Sequence, residues 1–275
     1  MCYEKLLKEG RDILEKAGIT DCDIDAWLLF EYVTTMGRAK YFINKSDKVS
    51  EKTVQKYFNL INARAAHIPL QHITGVQEFM GLKFIVSSDV LVPRQDTETL
   101  AEYVLPLVRG KSVLDMCTGS GCLAISLMKL GDAALCIATD FSQKALEIAK
   151  KNAKLNNVNV EFIHSDMFDN VTKKFDVIVS NPPYIRTEVI PTLMPEVKEH
   201  EPFIALDGGA DGLKFYKIIG REARNYLKKG GTLAVEIGYD QGKQVVDLFK
   251  ESGYKNVCVQ KDLSGNDRVV AAVKQ

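Results

Sequence analysis

Short apolar runs alternate with segments of helical period from residue 111 to residue 275. Apolar runs bounded by polar residues are typical of buried strands, and apolar residues at i, i+3, i+4 and i+7 are typical of helices. Their alternation predicts an α/β fold with a mostly parallel, doubly wound sheet. The short connection Ser264-Gly265-Asn266 predicts a C-terminal antiparallel hairpin. The predicted strands are 112–117, 135–140, 160–166, 175–181, 231–238, 256–263 and 268–273.

The first 75 residues carry helical periods and no strand signal. Asp23 and Ser50 precede two helical segments and are candidate N-caps, because their side-chain oxygens can accept a hydrogen bond from the first turn. Residues 76–92 place apolar residues among Gly and Ser, as a hairpin does. We therefore expect a helical domain at 1–75, a hairpin linker at 76–92 and the α/β domain at 93–275.

Charge is balanced, with 36 Lys and Arg against 36 Asp and Glu in the chain, and 11 basic against 10 acidic residues in its first 75. Nucleic-acid binding draws on clustered Lys and Arg. Because the sequence has no basic block, we expect no stable nucleic-acid binding.

Hydrophobicity predicts a cytoplasmic protein without membrane attachment, and we expect a monomer. No apolar run approaches the ~20 residues that span a membrane, and the charged N-terminus lacks a signal-peptide core. The six cysteines are too scattered for a disulfide framework. Cys117 and Cys122 have no CxxC or His partner at zinc spacing, so we expect no metal.

The tetrapeptide Asn181-Pro182-Pro183-Tyr184 follows an apolar strand. The Asn181 side-chain oxygen and the Pro182 carbonyl can each accept one N–H of a planar NH2 group. The prolines stiffen the turn, and the Tyr184 ring offers a face for stacking. Such a turn suits the methylation of a conjugated nitrogen, although a pair of prolines can also simply end a strand.

A glycine-rich loop closes the first strand of the α/β domain. The strand contains Asp115, and residues 117–121 let the backbone approach a ligand at a helix N-terminus. Asp140 ends the second strand, where a carboxylate suits two ribose hydroxyls. Asp166 ends the third strand, where its carboxylate could contact an adenine amino group, and Met167 beside it could cover the adenine ring.

The glycine spacing favours a nucleoside without pyrophosphate. A dinucleotide fingerprint G-x-G-x-x-G needs a third glycine, but Gly119 and Gly121 are followed by Cys122-Leu123-Ala124. Because G-x-G-x-x-A is a partial match, this loop alone does not exclude NAD and an oxidoreductase. A tight strand–helix turn and a helix-capping aspartate are the structural alternatives.

Together, the loop, the acid and the Asn-Pro-Pro-Tyr turn resemble Rossmann-like, S-adenosylmethionine-dependent methyltransferases that modify amino or amide nitrogens. Further segments narrow the resemblance to the release-factor glutamine methyltransferase family, over nearly the whole chain. These segments are PLQHITG at 69–75, EFMGL at 78–82, LVPRQDTE at 91–98, EPFIAL at 201–206 and KDLSGNDR at 261–268.

The resemblance implies methyl transfer from S-adenosylmethionine to the side-chain amide nitrogen (N5) of the glutamine in the Gly-Gly-Gln motif of class-1 peptide chain release factors, with S-adenosylhomocysteine as the other product. Residues 1–75 would recognise the protein substrate, and Asn181, Pro182, Pro183 and Tyr184 would clamp the glutamine. Cofactor contacts carry over to Cys117, Thr118, Gly119, Ser120, Gly121, Asp140, Asp166, Met167 and Asn181. Candidate supporting residues are Arg94, Asp115 and Glu201.

Five positions depart from the family's pattern. Cys117 stands where the family has its first loop glycine, at a cost of about 1–2 kcal/mol if the position requires a positive φ. Met167 replaces a common aromatic residue, Gln95 a proline and His72 a tyrosine, and Ala271 or Ala272 stands near a usual glycine. None of them removes a group that the chemistry needs.

Two further functions use the same fold. An N6-adenine or N2-guanine methyltransferase of DNA or RNA could use the same turn, but the neutral charge and the small helical domain argue against it. The second alternative is a binding module without catalytic activity, and the intact Asn-Pro-Pro-Tyr turn argues against it. The sequence shows no obvious dedicated base; His164 and His200 are candidates by residue type alone.

Overall fold

The computed structural model describes residues 1–275 and divides into two compact units. The helical unit comprises Met1–Gly75 and the segment Met194–His200, and the sheet unit comprises Val76–Leu193 and Glu201–Gln275. The sequence predicted a boundary after residue 75. It did not predict that a short segment from the α/β region belongs with the N-terminal helices.

Twelve α-helices, nine strands and two short 3-10 helices, Leu105–Leu107 and Ile190–Thr192, make up the two units. The helices are α1 Tyr3–Lys16, α2 Cys22–Thr34, α3 Arg38–Asn44, α4 Glu51–Ala65, α5 Leu70–Thr74, α6 Gln95–Val104, α7 Cys122–Gly131, α8 Gln143–Leu155, α9 Pro195–Lys198, α10 Phe203–Leu206, α11 Lys214–Tyr226 and α12 Gly242–Glu251. The strands are β1 Val76–Phe79, β2 Leu82–Ile85, β3 Ser112–Met116, β4 Leu135–Asp140, β5 Glu161–His164, β6 Phe175–Ser180, β7 Leu227–Glu236, β8 Lys255–Lys261 and β9 Asp267–Val273.

In the helical unit, apolar side chains of α1, α2 and α4 form one buried core. Ser50 caps α4, accepting from the Thr53 N–H, as predicted. The prediction for Asp23 was wrong, because α2 begins at Cys22 and Asp21 takes the N-cap position. Asp23 lies in the first turn, where a negative charge still favours the helix through its dipole.

The sheet unit contains a seven-stranded sheet in the order β5-β4-β3-β6-β7-β9-β8. Its strands run parallel except for β9, which is antiparallel to β7 and β8. This confirms the predicted doubly wound sheet with its C-terminal hairpin. One apolar core lies between the sheet and α6 and α7, and another between the sheet and α11 and α12. β1 and β2 form a separate antiparallel hairpin.

Strand register sets the level of the residues that follow the central strands. Met116 pairs with Thr139 and with Ser180, and Ser180 pairs with Val235. The next residues in sequence therefore reach the carboxyl edge of the sheet at one level: Cys117, Asp140, Asn181 and Glu236.

Candidate active site

A cavity of ≈ 240 Å³ opens in the sheet unit where β3 and β6 end. The strand order reverses between these two strands, and ligands of doubly wound folds bind at such a point. The predicted site residues in its wall are Arg94, Cys117, Thr118, Gly119, Ser120, Asp140, Asp166, Met167, Asn181 and Pro183. Those that do not line it are Asp115, Gly121, Pro182, Tyr184 and Glu201.

Asp115 holds the glycine-rich loop from inside the protein. Its side chain is fully buried, and its Oδ2 accepts from the Thr118 hydroxyl at 2.6 Å and from the Ala124 N–H at 3.1 Å. Burial raises the pKa of Asp115 to about 7, although both hydrogen bonds favour the carboxylate. Asp115 therefore supports the loop and does not face a ligand.

The loop backbone is left-handed at three positions, with φ of 58° at Cys117, 54° at Gly119 and 81° at Gly121. Because Cys117 carries a side chain and has a positive φ, the cost of about 1–2 kcal/mol for a left-handed conformation applies there. A Cβ at Gly119 would meet no atom within 4 Å. The loop backbone at Gly119 is thus open for close approach of a ligand.

Asp140 joins this loop to the end of β4. Its Oδ2 accepts from the Gly119 N–H and its Oδ1 from the Ser142 N–H, both at 2.8 Å. Burial raises the pKa of the Asp140 carboxyl, while these N–H groups and His164 oppose that rise. Each carboxylate oxygen retains capacity for a further donor. The side chain can therefore accept from two neighbouring hydroxyls in the cavity.

Asp166 and Met167 form a corner after β5. Met167 is buried with a φ of 43°, and the Ser165 hydroxyl donates to its carbonyl at 2.9 Å. Asp166 is exposed. The corner contributes one carboxylate and one thioether side chain to the cavity wall.

Asn181 is oriented by a residue that the sequence did not single out. Its Nδ2 donates to the Thr97 hydroxyl of α6 at 3.1 Å. The Asn181 Oδ1 accepts no hydrogen bond within the chain, and neither does the Pro182 carbonyl. Two neighbouring acceptors of the turn are therefore available to the two N–H groups of one NH2 group.

The turn is held in place by the chain behind it. The Tyr184 carbonyl accepts from Gln241 Nε2 at 3.0 Å. A Cβ at Gly208 would lie 2.7 Å from the Tyr184 Cα, and one at Gly212 would lie 2.5 Å from the Tyr184 oxygen. Both glycines are required by this close backbone approach. The sequence had suggested neither glycine, since nothing local marks a contact with a distant turn.

Tyr184 points its hydroxyl away from the cavity, donating to Glu236 Oε1 at 3.1 Å. Glu236 ends β7 and is 1% exposed. Burial raises its pKa to about 7, against the hydroxyls of Thr97 and Tyr184 and the charge of Arg268. Stacking of a substrate on the Tyr184 ring stays a prediction.

Thr97, Glu236 and Arg268 are the site residues that sequence reasoning missed. Arg268 forms ion pairs with Asp96 and Asp262, each at 3.1 Å. Thr97 and Arg268 lie inside segments already noted for their resemblance, and Glu236 ends an apolar strand as Asp140 does. An acid at the end of a buried strand was therefore the available signal for Glu236.

Arg94 is tied to Glu201 beside the cavity. Its Nη2 donates to both Glu201 carboxylate oxygens at 2.8 Å, and burial raises the pKa of Glu201. The residues after Glu201 include three that line the cavity, Pro202, Ile204 and Ala205. This ion pair therefore supports one wall.

Neither candidate histidine lines the cavity. His164 Nε2 lies 2.7 Å from the Phe141 carbonyl oxygen, and His200 belongs to the helical unit. The site geometry gives neither a role as a base.

Family models match both parts of the chain, the Methyltransferase small domain at residues 93–195 and the PrmC N-terminal domain at residues 5–75. The chain is 42% identical to the release factor glutamine methyltransferase of Clostridium botulinum, covering 100% of each chain. It is 39% identical to that of Agrobacterium fabrum, covering 95% of this chain and 93% of the relative. The chain belongs to the release factor glutamine methyltransferase family. The predicted family and the predicted enzyme class, a methyltransferase, are confirmed.

Solved structures with the same fold are more distant from this family member. A methyltransferase from Pyrococcus furiosus matches with a TM-score of 0.56 and 23% identity, covering 78% of this chain and 98% of that one. The T. thermophilus 16S rRNA N2 G1207 methyltransferase, in complex with AdoMet and guanosine, matches with a TM-score of 0.51 and 19% identity, covering 73% and 50%. These likenesses confirm the predicted methyltransferase fold. No helix of the chain has the length and apolar character to cross a bilayer.

Proposed function

We propose that this protein transfers a methyl group from S-adenosylmethionine to N5 of the glutamine in the Gly-Gly-Gln motif of class-1 release factors. The observation that carries the proposal is the pair of free acceptors, Asn181 Oδ1 and the Pro182 carbonyl, beside the cavity of the glycine-rich loop. Similarity to release factor glutamine methyltransferases along the whole chain supports the substrate.

The residues around the cavity fit S-adenosylmethionine. Asp140 offers its carboxylate to the ribose hydroxyls, and the open space above Gly119 admits the nucleoside against the backbone. Asp166 and Met167 suit the amino group and the face of the adenine. When bound, the cofactor supplies an electrophilic methyl group on a sulfonium. We propose that no metal takes part.

The turn then acts on the amide nitrogen. This nitrogen is a poor nucleophile because its lone pair is conjugated with the carbonyl. If Asn181 Oδ1 and the Pro182 carbonyl each accept one N–H, they hold the nitrogen in place and favour its pyramidal form over the planar one. That interaction is stronger in the transition state than with bound substrate, so it raises the transfer rate.

Replacing Asn181 tests the clamp. Asn181→Ala should still bind S-adenosylmethionine and, at saturating cofactor, lose most of the single-turnover transfer of labelled methyl to a release factor. Asn225→Ala, at an exposed helix position, is the matched control. Transfer by Asn181→Ala within a few-fold of wild type would contradict the clamp.

The same assay separates the substrates. Equal amounts of release factor, DNA and rRNA are offered, and mass spectrometry locates the label. Label on N5 of the Gly-Gly-Gln glutamine is expected, whereas label on a base would favour the adenine or guanine alternative. Cofactor binding without any transfer would indicate a binding module.

We propose further that residues 1–75 contact the release factor. The protein then acts as a cytoplasmic monomer without stable nucleic-acid binding. The balanced charge of the chain supports the last point.

A further inference from the structure

We propose that two exposed apolar side chains, Tyr239 and Leu263, form a docking contact for the folded release-factor surface that surrounds the target glutamine. The inference rests on the proposed function and deepens it. It assigns part of the substrate contact to the sheet unit, on residues outside the wall of the cofactor cavity.

Tyr239 and Leu263 lie on loops that follow two strands at the carboxyl edge of the sheet. Tyr239 comes three residues after the end of β7, and Leu263 comes two residues after the end of β8. Both strands are antiparallel to β9 and therefore run in the same direction. Because Glu236, the last residue of β7, is at the level of Asn181, both loops lie at the edge that carries the glutamine clamp.

The two loops are neighbours. The pairing of β7 with β9 continues one residue past β7, where the Ile237 N–H donates to the Arg268 carbonyl at 2.9 Å. The Arg268 guanidinium donates to the Ile237 carbonyl at 3.4 Å and to Asp262 Oδ2 at 3.1 Å. Arg268 thus joins the end of β7, three residues before Tyr239, to the turn that carries Leu263.

Both apolar side chains are open to solvent. Leu263 is 97% exposed, and Tyr239 is 70% exposed. A single exposed apolar residue is ordinary on a protein surface. An aromatic and an aliphatic residue on neighbouring loops instead resemble the apolar centre of a protein interface, where tyrosine is enriched among the residues that contribute most to binding.

The turn that carries Leu263 is fixed by hydrogen bonds within the chain. Asp262 Oδ1 accepts from the Ser264 N–H and from the Asn266 N–H, each at 2.9 Å. The Asp262 carbonyl accepts from the Gly265 N–H at 3.0 Å, which closes the turn. Because the backbone is already ordered, little conformational entropy is lost when a partner covers Leu263.

The turn that carries Tyr239 is joined to the turn that holds the glutamine. The Gln241 side chain donates to the Tyr184 carbonyl at 3.0 Å. Asp240 forms an ion pair with Arg186 at 2.9 Å, two residues beyond that tyrosine. A folded substrate that delivers its glutamine to the clamp therefore reaches the loop of Tyr239.

The charges at this surface favour a protein over a nucleic acid as the occupant. Lys261 is paired with Asp267 at 3.0 Å, and Arg186 with Asp240 at 2.9 Å. Arg268 is paired with two acids. Phosphate binding uses cations that lack such partners, whereas an apolar centre with a polar rim is typical of protein interfaces.

Binding and transfer kinetics of Leu263→Ala and Tyr239→Ala with an intact release factor test the inference. At saturating S-adenosylmethionine, each variant should raise the KM for the release factor about tenfold and leave kcat within about twofold, because the contact is the same in bound substrate and transition state. The Kd of the release factor for enzyme loaded with S-adenosylhomocysteine, measured by calorimetry, should rise by the same factor. Leu263→Met keeps an apolar side chain of similar volume and should stay within about threefold.

Leu155→Ala is the matched control. Leu155 is also an exposed leucine, but it ends α8, which leads into β5 from the opposite edge of the sheet. Its replacement should leave the KM unchanged. Thermal unfolding and cofactor affinity of Leu263→Ala should match wild type, since a side chain surrounded by solvent contributes little to the fold.

Unchanged KM and Kd in both variants, with transfer intact, would overturn the inference while the proposed function stands. A fall in kcat at unchanged KM would overturn it too. So would a wild-type dimer that Leu263→Ala dissociates in sedimentation analysis, since the surface would then bind a second copy of the chain. If wild type labels no release factor, the proposed function fails, and the calorimetric Kd values alone decide whether this surface docks the release factor.

Discussion

Replacement of Asp140 gives the most quantitative test of the cofactor site. A charge-assisted hydrogen bond is worth about 1.5–3 kcal/mol. Loss of that amount from ribose binding should weaken the affinity for S-adenosylhomocysteine by about 10- to 150-fold, at 1.36 kcal/mol per decade. Isothermal titration calorimetry of Asp140→Ala measures this directly.

Asp140 also holds the glycine-rich loop in place. Part of any loss of cofactor affinity would therefore come from a change in the loop and not from the lost contact with the ribose. Both carboxylate oxygens accept backbone N–H groups, from Gly119 and Ser142. Asp140→Ala frees both N–H groups, whereas Asp140→Asn keeps one accepting oxygen and should lose less affinity. Asp169→Ala removes an exposed acid that does not line the cavity and controls for the change in net charge.

A cofactor analogue without the two ribose hydroxyls separates the direct effect from the indirect one. Wild type should bind S-adenosylhomocysteine much more tightly than its 2′,3′-dideoxy analogue, and Asp140→Ala should bind the two alike. If the variant discriminates between them as strongly as wild type does, Asp140 does not contact the ribose. The reasoning from the cavity wall would then be refuted.

Three further predictions concern stability. Cys117→Gly should raise the free energy of unfolding by about 0.5–1 kcal/mol, because relief of the left-handed strain exceeds the backbone entropy that glycine adds; a decrease in urea unfolding would show that the thiol packing matters more. Glu236→Gln should be more stable than wild type by up to about 3 kcal/mol at pH 8 and by little at pH 4.5. The reason is that the pKa of Glu236 is about 7 in the folded protein against the ordinary 4.5, so the folded state pays an increasing cost for ionisation as pH rises through this window. A difference in stability that does not change with pH would contradict this prediction. Arg64→Ala should destabilise the helical unit by about 3–5 kcal/mol, because it leaves Asp25, paired at 2.6 Å, as a buried charge without its partner; the double variant with Asp25→Ala should recover part of the loss.

Most secondary structure could be predicted from local patterns. The strand at Leu135–Asp140 was predicted at both ends, and most other strands and helices within a few residues. The short helices α3 and α5 were not predicted, because helices of seven and five residues show too few turns for a period to appear. Asp23 was misplaced by two residues as a cap, since several acids near that helix start could serve.

Part of the candidate site could also be predicted from local sequence patterns. Asp140 and Asn181 were recognised because each ends a strand with a chemically distinctive side chain, and glycines mark the loop between 117 and 121. The residues that hydrogen-bond to the 181–184 turn from other elements were not recognised. Thr97 and Glu236 lie 84 and 55 positions from Asn181 and have no local feature that links them to it.

By itself, the sequence determined the kinds of elements, their order, and which polar groups end the strands, because these depend on side chains within a few residues of each other. Only the tertiary structure decided which ends meet. The order β4-β3-β6-β7 and its register bring Cys117, Asp140, Asn181 and Glu236 to one level. Pairing of distant strands is set by packing of the whole sheet, and so is the burial that raises the pKa of Glu236 to about 7. No local pattern encodes either.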